Sequence, residues 1–194
     1  MKESTWFSLV AGLIALAVIA LGALAVAFPN GPEPVAATHQ VSGGNPTVYR
    51  NLSIALDPAT GTFGYSTTQL SVPTGATVVF TITNHDPMIA TLPTASDAQV
   101  VGTVGGTMQL TTGGVVSMLT QVSTSDVSHT FSISSGAYHL NVPIPPASPE
   151  GTPTVVSFSV TFPISGTFNW GCAVLCGPSD MMATDAMYGT LTVS

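Results

Sequence analysis

Charge is what this sequence lacks most. Only 6% of its 194 residues are Asp, Glu, Lys or Arg, and just two, Lys2 and Arg50, carry a permanent positive charge. Nucleic-acid binding requires several cations to neutralise phosphates, so no nucleic-acid partner is expected. Motifs of common enzymes are also missing: there is no nucleophile elbow, no Gly-rich phosphate loop and no HExxH helix, which leaves no catalytic site of the chain's own to name. Cysteine is nearly absent, with two residues, Cys172 and Cys176. After residue 29 no segment keeps a helical hydrophobic period, so an α-helical core is not expected.

The remaining charges are mostly acidic. Beyond residue 29 there are eight Asp and Glu against Arg50 alone. In strong acid the carboxylates would protonate and leave only Arg50 and four histidines charged, which limits self-repulsion. The composition therefore suits an acidic exterior, as in an acidophile; a neutral-pH surface built from Ser and Thr is the alternative.

The one long apolar run is residues 6–28, interrupted only by Ser8 and two glycines and ended by Pro29. At about 1.5 Å per residue it can cross a hydrocarbon core of ~30 Å. A cleaved secretory signal is the rival reading, because Ala23-Leu24-Ala25 and Ala25-Val26-Ala27 offer small residues at A-x-A spacing. The apolar region of such a signal usually spans only about 7–15 residues, which favours a retained anchor. Either way the rest of the chain is exported. Lys2 and the amino terminus favour a cytoplasmic start, giving a single-pass protein of the cell membrane with its C-terminal domain on the extracytoplasmic side. Residues 1–29 are thus the membrane anchor and 30–45 a flexible linker of Pro, Gly and Ala, holding a solvated His39. Residues 46–194 are enough for one domain with a real core.

That domain reads as all-β. Apolar and polar residues alternate in Leu52-Ser53-Ile54-Ala55-Leu56, Val78-Val79-Phe80-Thr81-Ile82-Thr83, Phe131-Ser132-Ile133, Val156-Ser157-Phe158-Ser159-Val160 and Tyr188-Gly189-Thr190-Leu191-Thr192-Val193. Period two predicts half-buried strands. Turn signals separate them at Asp57-Pro58, Pro73-Thr74-Gly75, Pro163-Ile164-Ser165-Gly166 and the Pro-rich residues 143–153. Many short strands with Gly and Pro turns predict a β-sandwich. Residues 87–124 are the least regular and are expected to be an inserted hairpin or loop.

The chemistry-bearing residues concentrate near the C-terminus, in Trp170-Gly171-Cys172-Ala173-Val174-Leu175-Cys176-Gly177. A C-x3-C pair on one loop has two readings. Export favours a disulfide, although so short a loop gains little from being closed. Alternatively, two thiolates bridge copper, for which soft sulfur ligands and imidazole are suited. The spacing leaves both open.

Four segments carry a resemblance. Asp126-Val127-Ser128-His129-Thr130-Phe131 resembles the D-V-x-H-x-F strand of cupredoxins of the copper-A class. Cys172-Ala173-Val174-Leu175-Cys176-Gly177 resembles the C-x3-C-G loop of haem-copper oxidase subunit II, and Met187-Tyr188-Gly189-Thr190-Leu191-Thr192-Val193 its M-F-G-T-[IV]-V-V strand. Upstream, Leu70-Ser71-Val72-Pro73 with the strand through Asn84 is similar to that family's V-P-x-G-x-x-V-x-F pair. The match spans about 110 residues, discontinuously. It implies a cupredoxin-like Greek-key β-sandwich behind one N-terminal transmembrane helix. It also implies a copper site, mono- or dinuclear, held by His129, Cys172, Cys176 and Met187, with the backbone carbonyl of Val174 as a further ligand.

Two departures qualify what is carried over. About 40 residues separate Asn84 from Asp126 where the family passes directly from strand to motif; an insertion of that length adds little closure entropy. The family's second histidine is replaced by Asp180, and Met187 falls four residues later than the family places its methionine. Substitutes for the missing imidazole are Asp180 oxygen, Met181 or Met182 sulfur, and His139 or His85. Each has an ordinary alternative: core filling for the methionines, exposure for His139, a turn for His85. Methionine sulfur does not compete with protons for a metal, which suits acid conditions.

Three functions follow from the resemblance. One is a membrane-anchored copper electron-transfer protein or oxidase subunit II, taking electrons from a redox donor protein towards a membrane-embedded oxidase subunit of a respiratory chain. Another is a copper-free structural or assembly subunit with a Cys172–Cys176 disulfide. The last is a copper chaperone or storage module using the Met-rich loop.

Overall fold

The computed structural model describes residues 45–174 and 186–194, all within the compact unit Gly44–Ser194. The apolar run at 6–28, the linker up to residue 44, and Cys176, Asp180, Met181 and Met182 lie outside the described residues. Among the described residues no helix is long and apolar enough to cross a membrane.

Among the described residues eleven strands form two sheets packed face to face. In chain order they are β1 (Thr47–Asp57), β2 (Thr62–Tyr65), β3 (Gln69–Val72), β4 (Thr77–Asn84), β5 (Met108–Thr112), β6 (Val115–Leu119), β7 (His129–Ser135), β8 (Tyr138–Ile144), β9 (Thr154–Thr161), β10 (Gly166–Gly171) and β11 (Tyr188–Val193). The first sheet has the order β2-β1-β4-β9-β5-β6 and the second β3-β11-β10-β7-β8. The pairs β1 with β4 and β3 with β11 are parallel, and the remaining pairs are antiparallel. The all-β sandwich expected from the alternating sequence is therefore present.

The period-two rows explain the core. Val78, Phe80, Ile82 and Asn84 of β4 point inward, as do Thr154, Val156, Phe158 and Val160 of β9 and His129, Phe131 and Ile133 of β7. Between the sheets Phe131 stacks on Trp170 at 5.0 Å and packs against Phe80 at 5.1 Å, and Tyr65 meets Trp170 edge-on at 4.9 Å. Each such ring contributes roughly 2–3 kcal/mol by burial and fixes the spacing of the sheets. All three inward rows begin or end on a polar residue, Asn84, Thr154 and His129, with Asn84 and Thr154 paired across β4 and β9.

Two details differ from the sequence-based expectation. Residues from 143 onward read as a turn, yet β8 continues through Pro143 to Ile144. Proline is tolerated because β8 is the outer strand of its sheet and needs partners on one side only. Residues 87–124 do hold a hairpin, β5–β6, but it joins the first sheet through β9 and contributes Ala98, Val100 and Met108 to the core. A short 3-10 turn, Ala95–Ala98, is tied to β8 where the Asn141 amide donates to the carbonyls of Asp97 and Gln99 at 3.1 and 2.8 Å. The segment is built into the sandwich at both ends.

Candidate metal centre

Three chain segments converge at one end of the sandwich. His129 opens β7, where it pairs with Ile144 of β8. Cys172 directly follows β10, and Met187 directly precedes β11. The ladder between β10 and β11 ends at Gly171 with Tyr188, and the Cys172 amide extends it by donating to the Met187 carbonyl at 2.9 Å. Cys172 and Met187 are thereby clamped side by side. The Ala173 amide donates to Thr130 Oγ1 at 2.7 Å, pinning this corner to β7 beside His129.

The side chains that meet there are buried. His129 is 2% exposed, Cys172 3%, Val174 2% and Met187 4%. Cys172 Sγ lies 3.9 Å from His129 Nδ1 and 3.9 Å from the Val174 carbonyl oxygen. Imidazole nitrogen and thiolate sulfur bind metals at about 2.0 and 2.3 Å. The sum exceeds 3.9 Å, so one ion can touch both donors without either side chain moving away. Donor chemistry agrees, since imidazole with thiolate, and a thioether-bearing residue at hand, suits copper. The residues present fit the group.

The other nitrogen of His129 reveals a residue that the sequence reading missed. Nε2–H donates to Asp86 Oδ2 at 2.9 Å, and the two side chains are 2% and 4% exposed. Asp86 stands before Pro87 and reads as part of a turn, but a signal was there. Counting inward by two along β4 gives Val78, Phe80, Ile82, Asn84 and then Asp86, so the period that builds the core also aims this carboxylate inside.

Electrostatics at His129 follow from these contacts. Burial lowers its pKa by opposing the charged ring. The hydrogen bonds and negative charge offered by Asp86 and Cys172 outweigh that penalty and raise it from 6.5 to about 9.

The other candidates separate. His139 is exposed and pairs with Ser134 near the opposite end of the β7–β8 hairpin, five residues or roughly 17 Å from His129. His85 is exposed at the end of β4, its amide bonded to the Ile54 carbonyl. Neither is brought to His129 and Cys172. Among the described residues no three His, Cys, Asp or Glu side chains converge as a metal-binding group. Asp86 is bonded to Nε2 of the ring, whereas Cys172 approaches Nδ1.

No protein-family model matches the chain, and no curated protein sequence does. Among solved structures it is similar to the copper protein rusticyanin, with 16% identity, a TM-score of 0.44, and 78% of this chain and 80% of that one covered. Rusticyanin from Thiobacillus ferrooxidans, in another structure, gives 16% identity and a TM-score of 0.43 over 78% and 79% of the two chains. Auracyanin B gives 16% identity and a TM-score of 0.34 over 77% and 91%.

Proposed function

We propose that the domain is a cupredoxin-like copper electron-transfer module of the kind found in haem-copper oxidase subunit II. The observation that carries this is the approach of His129 Nδ1 to Cys172 Sγ at 3.9 Å in a buried corner bounded by Met187. Copper, when bound, would supply one-electron oxidation and reduction. The chain's residues would do the rest: His129 and Cys172 hold the ion, Met187 and the Val174 carbonyl stand beside them, and Cys176 is a second thiolate by resemblance. Burial would exclude water, and the clamp between Cys172 and Met187 would keep donor positions alike in both oxidation states.

A rival use of the same residues is nucleophilic catalysis, since carboxylate, imidazole and thiol lie in one line. The 3% exposure of Cys172 speaks against it. A substrate carbonyl needs access to sulfur, whereas an ion needs only the space between donors. Exposed Met88 and Ile89, just beyond Asp86, offer uncharged apolar surface suited to a redox donor protein. Anchoring by residues 6–28 on the extracytoplasmic side, and delivery of electrons to a membrane-embedded oxidase subunit, complete the proposal.

The test is copper content and visible absorption of the full chain, purified in mild detergent and loaded with copper. Strong thiolate-to-copper absorption, abolished in both Cys172→Ser and His129→Ala, is expected, and the copper-to-protein ratio reads the nuclearity. A colourless, metal-free protein whose cysteines resist alkylation until reduced would overturn the proposal in favour of a copper-free assembly subunit.

A further inference from the structure

We infer that Asp86 is the positioning residue of this site: it holds the His129 ring by Nε2–H and so presents Nδ1 to Cys172 and to the ion. The inference rests on the proposal that His129 and Cys172 bind copper.

Asp86 is held independently of the histidine. Its amide donates to Asn84 Oδ1 at 3.0 Å, its carbonyl accepts from the Ala147 amide at 2.8 Å, and its Oδ1 accepts from the Met88 amide at 2.9 Å. Asn84 is fixed in turn, its amide nitrogen donating to the Pro145 carbonyl at 2.9 Å. Pro87 further restricts the backbone of Asp86 to extended conformations. One carboxylate oxygen is thus spent on the loop and the other, Oδ2, is aimed at His129. A carboxylate fixed this firmly sets where the ring goes.

The consequence for the metal is chemical. Imidazole has two nitrogens, and the one that keeps its proton cannot ligate. A buried acceptor on Nε2 keeps the proton there and leaves Nδ1 as the donor atom, facing sulfur. The carboxylate also makes the ring a stronger donor, as partners of metal-bound histidines do. Asp86, two residues past the end of β4 in one sheet, is bonded to the first residue of β7 in the other, so ring orientation is tied to the spacing of the two sheets.

Two readouts test this on the full chain. Copper(I) affinity is measured by competition with a chromophoric chelator, and the imidazole N–H groups of the metal-free protein are followed by nitrogen-15 NMR. Asp86→Ala should weaken copper binding by about 10–100-fold and lose the exchange-protected Nε2–H signal of His129. Asp86→Asn has one acceptor oxygen where Asp86 uses two, for the Met88 amide and for His129; it should keep both the Nε2–H signal and the copper affinity if that oxygen faces His129, and lose both if it faces Met88. A purely structural role would lower stability in both variants without this pairing of signal and affinity. Unchanged affinity in folded Asp86→Ala, or a wild-type ring with no protected Nε2–H, would overturn the inference. If the wild-type chain binds no copper, the proposed function falls. The NMR comparison of wild type with Asp86→Ala then still decides whether Asp86 orients the ring.

Discussion

His129 is the residue at which protonation, folding and metal binding meet. Its pKa lies above the ordinary value, raised to about 9, so the folded chain binds its proton more tightly than the unfolded chain does. The resulting stability is fully present below about pH 6.5 and is lost as pH rises through about 9. A shift of that size corresponds to about 3 kcal/mol. Urea titrations of the metal-free chain at pH 6 and pH 10 should show the loss, and His129→Gln should show little of it; equal pH dependence in the variant would contradict the assignment. The residue was legible beforehand because Asp-Val-x-His-x-Phe is a local pattern. Its partner was not, since Asp86 is 43 residues away in sequence and lies two residues past the end of β4, a strand of the other sheet. Only the two-residue period running past the end of β4 pointed to it. Cys172 and Met187 stood out by motif, but the bond between their backbones depends on the closing of β10 against β11.

Among the elements, strands with clean alternation were the readable ones. β4, β7, β9 and β11 coincide with the apolar-polar runs because each has one face on the core and one towards solvent. β8 was obscured by Pro143, and β10 by its start, Gly166 to Asn169, where little is buried before Trp170 and Gly171. β11 closes tightly on the start of β3, where Gly189 sits against the carbonyl of Thr68, the residue before β3, and the Trp170 ring. A Cβ at Gly189 would overlap that backbone oxygen, to which Thr190 N–H also donates at 2.8 Å. Backbone on one side and a buried ring on the other leave the side chain nowhere to go. Gly189→Ala should therefore cost at least the ~1–3 kcal/mol usual for overpacking. It should also loosen the strand that begins one residue after Met187. A lower urea midpoint together with weaker copper binding is the expected pair of results; an unchanged midpoint would show that β3 can shift freely.

At the scale of the whole molecule, scarcity of charge becomes a physical property. Acid unfolds proteins by breaking native ion pairs of carboxylates and by building up unbalanced positive charge. Among the described residues a single ion pair is present, His129 with Asp86, and it is buried. Arg50 is spent on backbone carbonyls, with Nη2 donating to Ser71 at 2.6 Å and Nη1 to Tyr49 at 3.0 Å. Protonating the carboxylates therefore removes one native pair and leaves a domain whose positive charge comes from Arg50 and its histidines. The core, made of stacked aromatic and aliphatic rows, is indifferent to pH. We expect the full chain to keep its near-UV circular dichroism down to about pH 3, with salt having little effect on the transition, because screening acts on charges that are few here. Collapse of the near-UV signal below about pH 4 would mean that diffuse charge governs the acid limit.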